Sequence, residues 1–117
     1  MTYVDGFVLA VPRANRAKLQ QQATAFAPLH REFGATRVAE CWGDDVPGGK
    51  VTDFRRAVKA EPHEKVVFSW VEWPSKAVRD EAWEKAMKDE RMQPDKDKMP
   101  FDGQRMFWGG FEPIVEG

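Results

Sequence analysis

The segment Lys65–Trp73, KVVFSWVEW, reads as a β-strand that is apolar on both faces, and this constrains the fold more than any other feature. Successive side chains of a strand point to opposite sides. Val67, Val71 and Trp73 therefore face one way, and Val66, Phe68 and Trp70 the other. The same two-sidedness recurs at both ends of the chain. In Tyr3–Val11 (YVDGFVLAV), Phe7, Leu9 and Val11 alternate with Val4, Val8 and Ala10, and near the C-terminus Met106 and Trp108 alternate with Phe107 and Phe111. With five tryptophans and eight phenylalanines in 117 residues, much of this surface is aromatic and needs large partners to bury against.

The order of elements narrows the choice of fold. Pro12 ends the first strand, and Arg13–Phe33 follows as a helix with Leu19, Ala23, Phe26, His30 and Phe33 on one stripe. Gly34 supplies its left-handed cap, and Pro28 predicts a kink or division near Ala25. Ala35–Trp42 is a second strand. Asp53–Val58 can make a short helical turn capped by Asp53, and Pro62-His63 is a turn before the third strand. Pro74-Ser75 opens a second long helix, Lys76 to about Lys88, with Val78, Ala82, Trp83, Ala86 and Met87 as its apolar face. The charged stretch Asp89–Lys98, broken by Pro94 and ending in the run Asp95–Lys98, reads as a solvated loop, and Gln104–Val115 is the last strand.

The result is β-α-β-β-α-β, the order of a ferredoxin-like α+β domain with both helices on one face of a four-stranded antiparallel sheet. The length fits one domain over residues 1–117. The sheet's other face should be polar where water covers it, yet it is apolar here, and an exposed apolar patch of that size marks an interface. Two copies packed sheet to sheet would bury it, giving a homodimeric α+β barrel. The alternative is that loop segments fold across the open face.

Composition removes several function classes. Eighteen Lys and Arg against nineteen Asp and Glu leave a net charge of −1, without the basic excess a nucleic-acid binder uses to displace counterions. The single Cys41 allows neither an intramolecular disulfide nor a Cys-rich zinc site. The apolar N-terminal run lacks a basic region ahead of it and reads as a strand rather than a signal peptide. No apolar run is long enough for a bilayer, so no membrane contact and a cytoplasmic location are expected.

The loop Gly43–Thr52, GDDVPGGKVT, invites comparison with a phosphate-binding loop. That motif needs lysine directly after its last glycine and Ser or Thr directly after the lysine. Here Gly49 follows Gly48, Val51 separates Lys50 from Thr52, and Asp44 and Asp45 would repel a polyphosphate. The segment is a turn, with Pro47 fixing φ and the glycines permitting positive φ. Nucleophilic catalysis has no supporting elbow motif: Ser69 is mid-strand, and Cys41 has no histidine near it in sequence. His30 on the inner helical stripe suits a packed, hydrogen-bonded role, His63 lies in a turn, and no spacing selects a metal site from His30, Glu40, Asp44 and Asp45.

Glu40 stands apart because it alternates with Val38 and Trp42 on one strand face, where a carboxylate is costly to bury. Partial burial raises its pKa and makes it the candidate catalytic base; a salt bridge to Arg79 or Arg105, or a rim position, is the structural alternative. Asp44, Asp45, Lys50, Trp70 and Arg105 are the accompanying ligand-binding candidates. The residue inventory calls for no cofactor and no metal.

The segments YVDGFVLAVP, VAECWGDDVPGGKVTDF, VVFSWVEWPSKAVRDE and MPFDGQRMFWGGFE together resemble the YbaA-like family of uncharacterised bacterial proteins, a domain-of-unknown-function family in the dimeric α+β barrel superfamily. The resemblance covers nearly the whole chain and implies the same fold and a homodimer. It implies no activity. By analogy of fold alone, the superfamily's cofactor-independent oxygenases and isomerases suggest that a small apolar or aromatic organic molecule is bound or transformed. The alternative is a non-catalytic structural or partner-binding dimer.

Overall fold

A computed structural model describes residues 2–93, 95 and 98–117. Strands β1 (Tyr3–Pro12), β2 (Arg37–Trp42), β3 (Glu64–Trp73) and β4 (Phe107–Phe111) form one antiparallel sheet in the order β2-β3-β1-β4. Helices α1 (Arg16–Glu32), α2 (Phe54–Ala57) and α3 (Lys76–Lys88) complete the expected α+β arrangement. Of the charged run expected as a solvated loop, residues 96 and 97 lie outside the described residues, as does Pro94; before them Glu90–Met92 forms a 3-10 turn.

Three local features differ from expectation or account for it. The helix α1 runs unbroken through Pro28, so loss of one backbone donor near its end is tolerated. It stops at Gly34, whose φ of 115° is one that side chains rarely adopt. There the amides of Phe33, Gly34 and Ala35 close onto Leu29, Arg31 and His30. The last strand is shorter than Gln104–Val115. Gln104 and Arg105 sit in a 3-10 turn capped by Asp102, which accepts from the Gln104 amide at 3.0 Å, and Pro113 has no N–H to extend the ladder. Asp53 caps α2 as expected, accepting from the Arg56 amide at 2.7 Å, and Ser75, where the second long helix was expected to open, caps α3 by accepting from the Val78 amide at 3.2 Å.

The strand periodicity places the core. On the helix-covered face, Leu9, Val11 and Val67 pack on Leu19 of α1, while Val71 and Trp73 pack on Ala35 and Ala82. On the other face, Val8, Ala10 and Val66 are covered by Val58, just after α2, so a loop segment does shield one end of the sheet. The remainder of that face is open. Phe68 is 43% exposed, Phe107 46% and Phe111 61%. Gly6 pairs with Gly109 in register between them, and the missing side chains leave a hollow of about 710 Å³.

Candidate functional site

Between α1 and the sheet lies a cavity of about 360 Å³. Phe7 and Leu9 of β1, Leu19 and Phe26 of α1 and Val71 of β3 give it apolar walls. The stripe that makes α1 amphipathic and the period of two that orients the strands converge here. Its polar lining includes Glu40, Ser69, Gln22 and His30. A groove of about 460 Å³ between α1 and the outer edge of β2 adjoins it, lined by Arg16, Gln20, Thr24 and Trp42. Glu40 lines both spaces.

That position sets the chemistry of Glu40. Surrounding apolar atoms replace much of the water that would solvate the anion, and this desolvation pushes its carboxyl up from 4.5 to about 7. The residue nevertheless stays exposed to water, through the groove, so its retained hydration argues for the direction of the shift more than for its full size. Among the described residues its side chain has no hydrogen bond or ion pair. Arg79 and Arg105, the possible salt-bridge partners, are engaged elsewhere.

Arg79 belongs to Asp5, whose carboxylate is fully buried. Its oxygens accept from Arg79 Nη2 at 2.8 Å, Arg79 Nε at 3.0 and 3.1 Å, Trp73 Nε1 at 2.9 Å and Trp83 Nε1 at 3.1 Å. The guanidinium lies 4.6 Å from the Trp83 ring centroid and 5.3 Å from that of Tyr3. Arg105 belongs to Glu64, donating at 2.6 and 2.7 Å to its two oxygens. This bidentate bond holds the Glu64 carboxyl at about 2, well below its ordinary value.

The structure distributes the other candidates. The Trp70 side chain is on the open sheet face, donating to Glu72 at 3.1 Å and standing 5.8 Å from Phe68, so it is separated from Glu40 by the sheet. Asp44, Asp45 and Lys50 are exposed, and their side chains have no partner among the described residues. The loop is instead pinned by the Gly43 amide on the Val66 carbonyl (2.8 Å) and the Gly49 amide on Asp53 (3.1 Å). Among the described residues no three His, Cys, Asp or Glu side chains are grouped to hold a metal.

Two cavity residues carry more than sequence reasoning assigned them. His30 Nδ1 lies 2.9 Å from the Phe26 carbonyl. A carbonyl only accepts, so Nδ1 is the donor in this bond, and Nε2 has no hydrogen-bond partner among the described residues. Ser69 is opposite Glu40 in the β2–β3 ladder. Its odd position, shared with Val67 and Val71, was the signal that it faces α1.

Comparison with known proteins agrees with this fold. The family described as "Protein of unknown function (DUF1428)" matches residues 2–103. The chain is 59% identical over 116 residues to "Uncharacterized protein YbaA" of Escherichia coli K12, covering 99% of each chain, and equally to its counterpart in Shigella flexneri. Among solved structures it is similar to Rv0793 from Mycobacterium tuberculosis, with a TM-score of 0.51 at 13% identity over 99% of this chain and 98% of that one. The last likeness is one of fold. The resemblance to YbaA-like proteins seen in the sequence motifs is thus sustained along the chain.

Proposed function

The chain belongs to the DUF1428 family of proteins of unknown function, and on that premise we propose that it binds or transforms a small apolar or aromatic organic molecule in the cavity beneath α1. The observation that carries this is Glu40: a carboxyl pushed up to about 7, without an ion pair, on the wall of an otherwise largely apolar cavity. A base of that pKa is matched to proton transfer near neutral pH. Removing a proton from an acidic C–H or O–H group opens both kinds of chemistry suggested by fold analogy. Returning the proton to another carbon completes an isomerisation, whereas passing electrons from the resulting anion to dioxygen begins an oxygenation. Thermal-shift screening with quinones, polyphenols and lactones, on wild type and Glu40→Gln, tests the assignment. Stabilisation of the wild type that changes in the variant is expected, and a complete absence of shifts in wild type would leave the non-catalytic alternative in possession.

The assembly that fits this unit is a cytoplasmic homodimer of one-domain protomers, residues 1–117, joined through the open sheet faces. Its support is the row Phe68, Phe107 and Phe111 around the Gly6–Gly109 hollow, a surface apolar enough to reward burial against a second copy. No helix among the described residues is long and apolar enough to cross a membrane. Light scattering at micromolar concentration should give twice the chain mass, and a single-chain mass would refute the assembly.

A further inference from the structure

Ser69 supplies the second polar contact of the cavity. It is only 7% exposed, it lines the cavity, and its hydroxyl has no hydrogen-bond partner among the described residues. Among the described residues the one sealed side-chain polar atom without a partner is Thr2 Oγ1, so the Ser69 hydroxyl is open to the cavity space and available to a ligand. Its cross-strand neighbour is Glu40, and directly opposed residues of an antiparallel pair hold their Cβ atoms about 5 Å apart. Side chains rooted that far apart on one face can address two adjacent atoms of a ligand, the shorter serine one atom and the longer glutamate the next.

We propose that Ser69 and Glu40 together recognise an enolisable carbonyl compound of mainly hydrocarbon character, with the Ser69 hydroxyl on the carbonyl oxygen and the Glu40 carboxylate against the α-carbon. The inference rests on the cavity assignment above and adds its substrate class. The step balances without a further reactant. Glu40 takes the proton from the α-carbon, and the C–H electron pair becomes the C=C bond of the enolate. Negative charge arrives on the oxygen, where the Ser69 O–H donates to it. The reverse step returns a proton from Glu40 to carbon. Phe7, Leu9, Leu19 and Phe26 surround the hydrocarbon part.

The test compares 2-tetralone with tetralin, the same bicyclic skeleton without the carbonyl. Binding is read by calorimetry, and α-proton exchange of 2-tetralone in deuterium oxide by NMR. Wild type is expected to hold 2-tetralone about tenfold more tightly than tetralin, the scale of one hydrogen bond, and to accelerate exchange. Ser69→Ala should erase the preference while leaving tetralin affinity unchanged, and Ser69→Thr, which keeps the hydroxyl, should retain it. Glu40→Gln should keep the preference and lose the exchange. A preference that survives Ser69→Ala overturns the Ser69 contact while leaving the cavity assignment standing. Exchange that survives Glu40→Gln overturns Glu40 as the base, and with it the paired arrangement. Failure of both compounds to bind wild type overturns the cavity and this inference together.

Discussion

Asp5 and Glu40 are carboxylates on the same helix-covered face of one sheet, and their surroundings give them opposite characters. Asp5, on a central strand, is saturated by two indoles and a guanidinium. Glu40, on the edge strand β2, has no such partner and sits between a cavity and a groove. A carboxylate surrounded by donors is committed to those bonds and holds structure together. One without such partners, between an apolar cavity and a water-filled groove, is free to exchange its proton, which is the property a base requires.

Removing the Asp5 charge tests the saturated side and should have the largest effect. Asp5→Asn leaves the Arg79 guanidinium, 14% exposed, without its main counter-charge. A loss of about 3 kcal/mol of unfolding free energy in urea is expected, the lower end for a broken buried pair, because Asp80 still contacts Arg79 at 2.9 Å. A loss below about 1 kcal/mol would show that the pair contributes no more than a surface contact.

Glu64 tests the same principle through pH. Its carboxyl at about 2 lies below the ordinary 4.5, so the unfolded chain binds the proton more readily than the folded one. Its stabilising contribution is present above pH 4.5 and is lost as pH falls toward 2. Arg105→Ala should flatten that acid limb in a series of urea titrations, and an unchanged limb would contradict the pairing.

Glu40 should give the smallest effect, with the opposite sign. Its folded pKa is raised, so its contribution is greatest below pH 4.5 and is lost as pH rises toward about 7. Glu40→Gln should therefore be slightly more stable than wild type above pH 7, by less than about 1 kcal/mol because water screens an accessible group. A destabilised Gln variant at that pH would mean that the anion has a stabilising partner.

The sequence made the sheet legible because period-two alternation is a backbone property. Val66, Val67 and Phe68 could be assigned to faces before any contact was known. Glu40 was legible by the same rule, but its freedom from Arg79 and Arg105 was not, since those pairings span 74 and 41 residues. Asp5 shares the parity of Phe7 and Leu9, so its burial had a signal; its four donors come from β3 and α3 and had none. The turn Gly43–Thr52 was recognisable as a turn, whereas its pinning depends on Val66 and on where Asp53 caps the next helix. The length of β4 escaped because Asp102 takes Gln104 and Arg105 into a turn before the strand can form.

The carboxylate of Asp5 also has an optical consequence. Trp73 and Trp83 each direct the pyrrole N–H of the indole at its Oδ2. Indole excitation moves electron density from the pyrrole ring toward the benzene ring, so a negative charge at the pyrrole end lowers the emitting state and shifts fluorescence to the red. The protein thus carries its own electric-field reporter: in Asp5→Asn the emission of these two indoles should move to the blue while the fold is still intact.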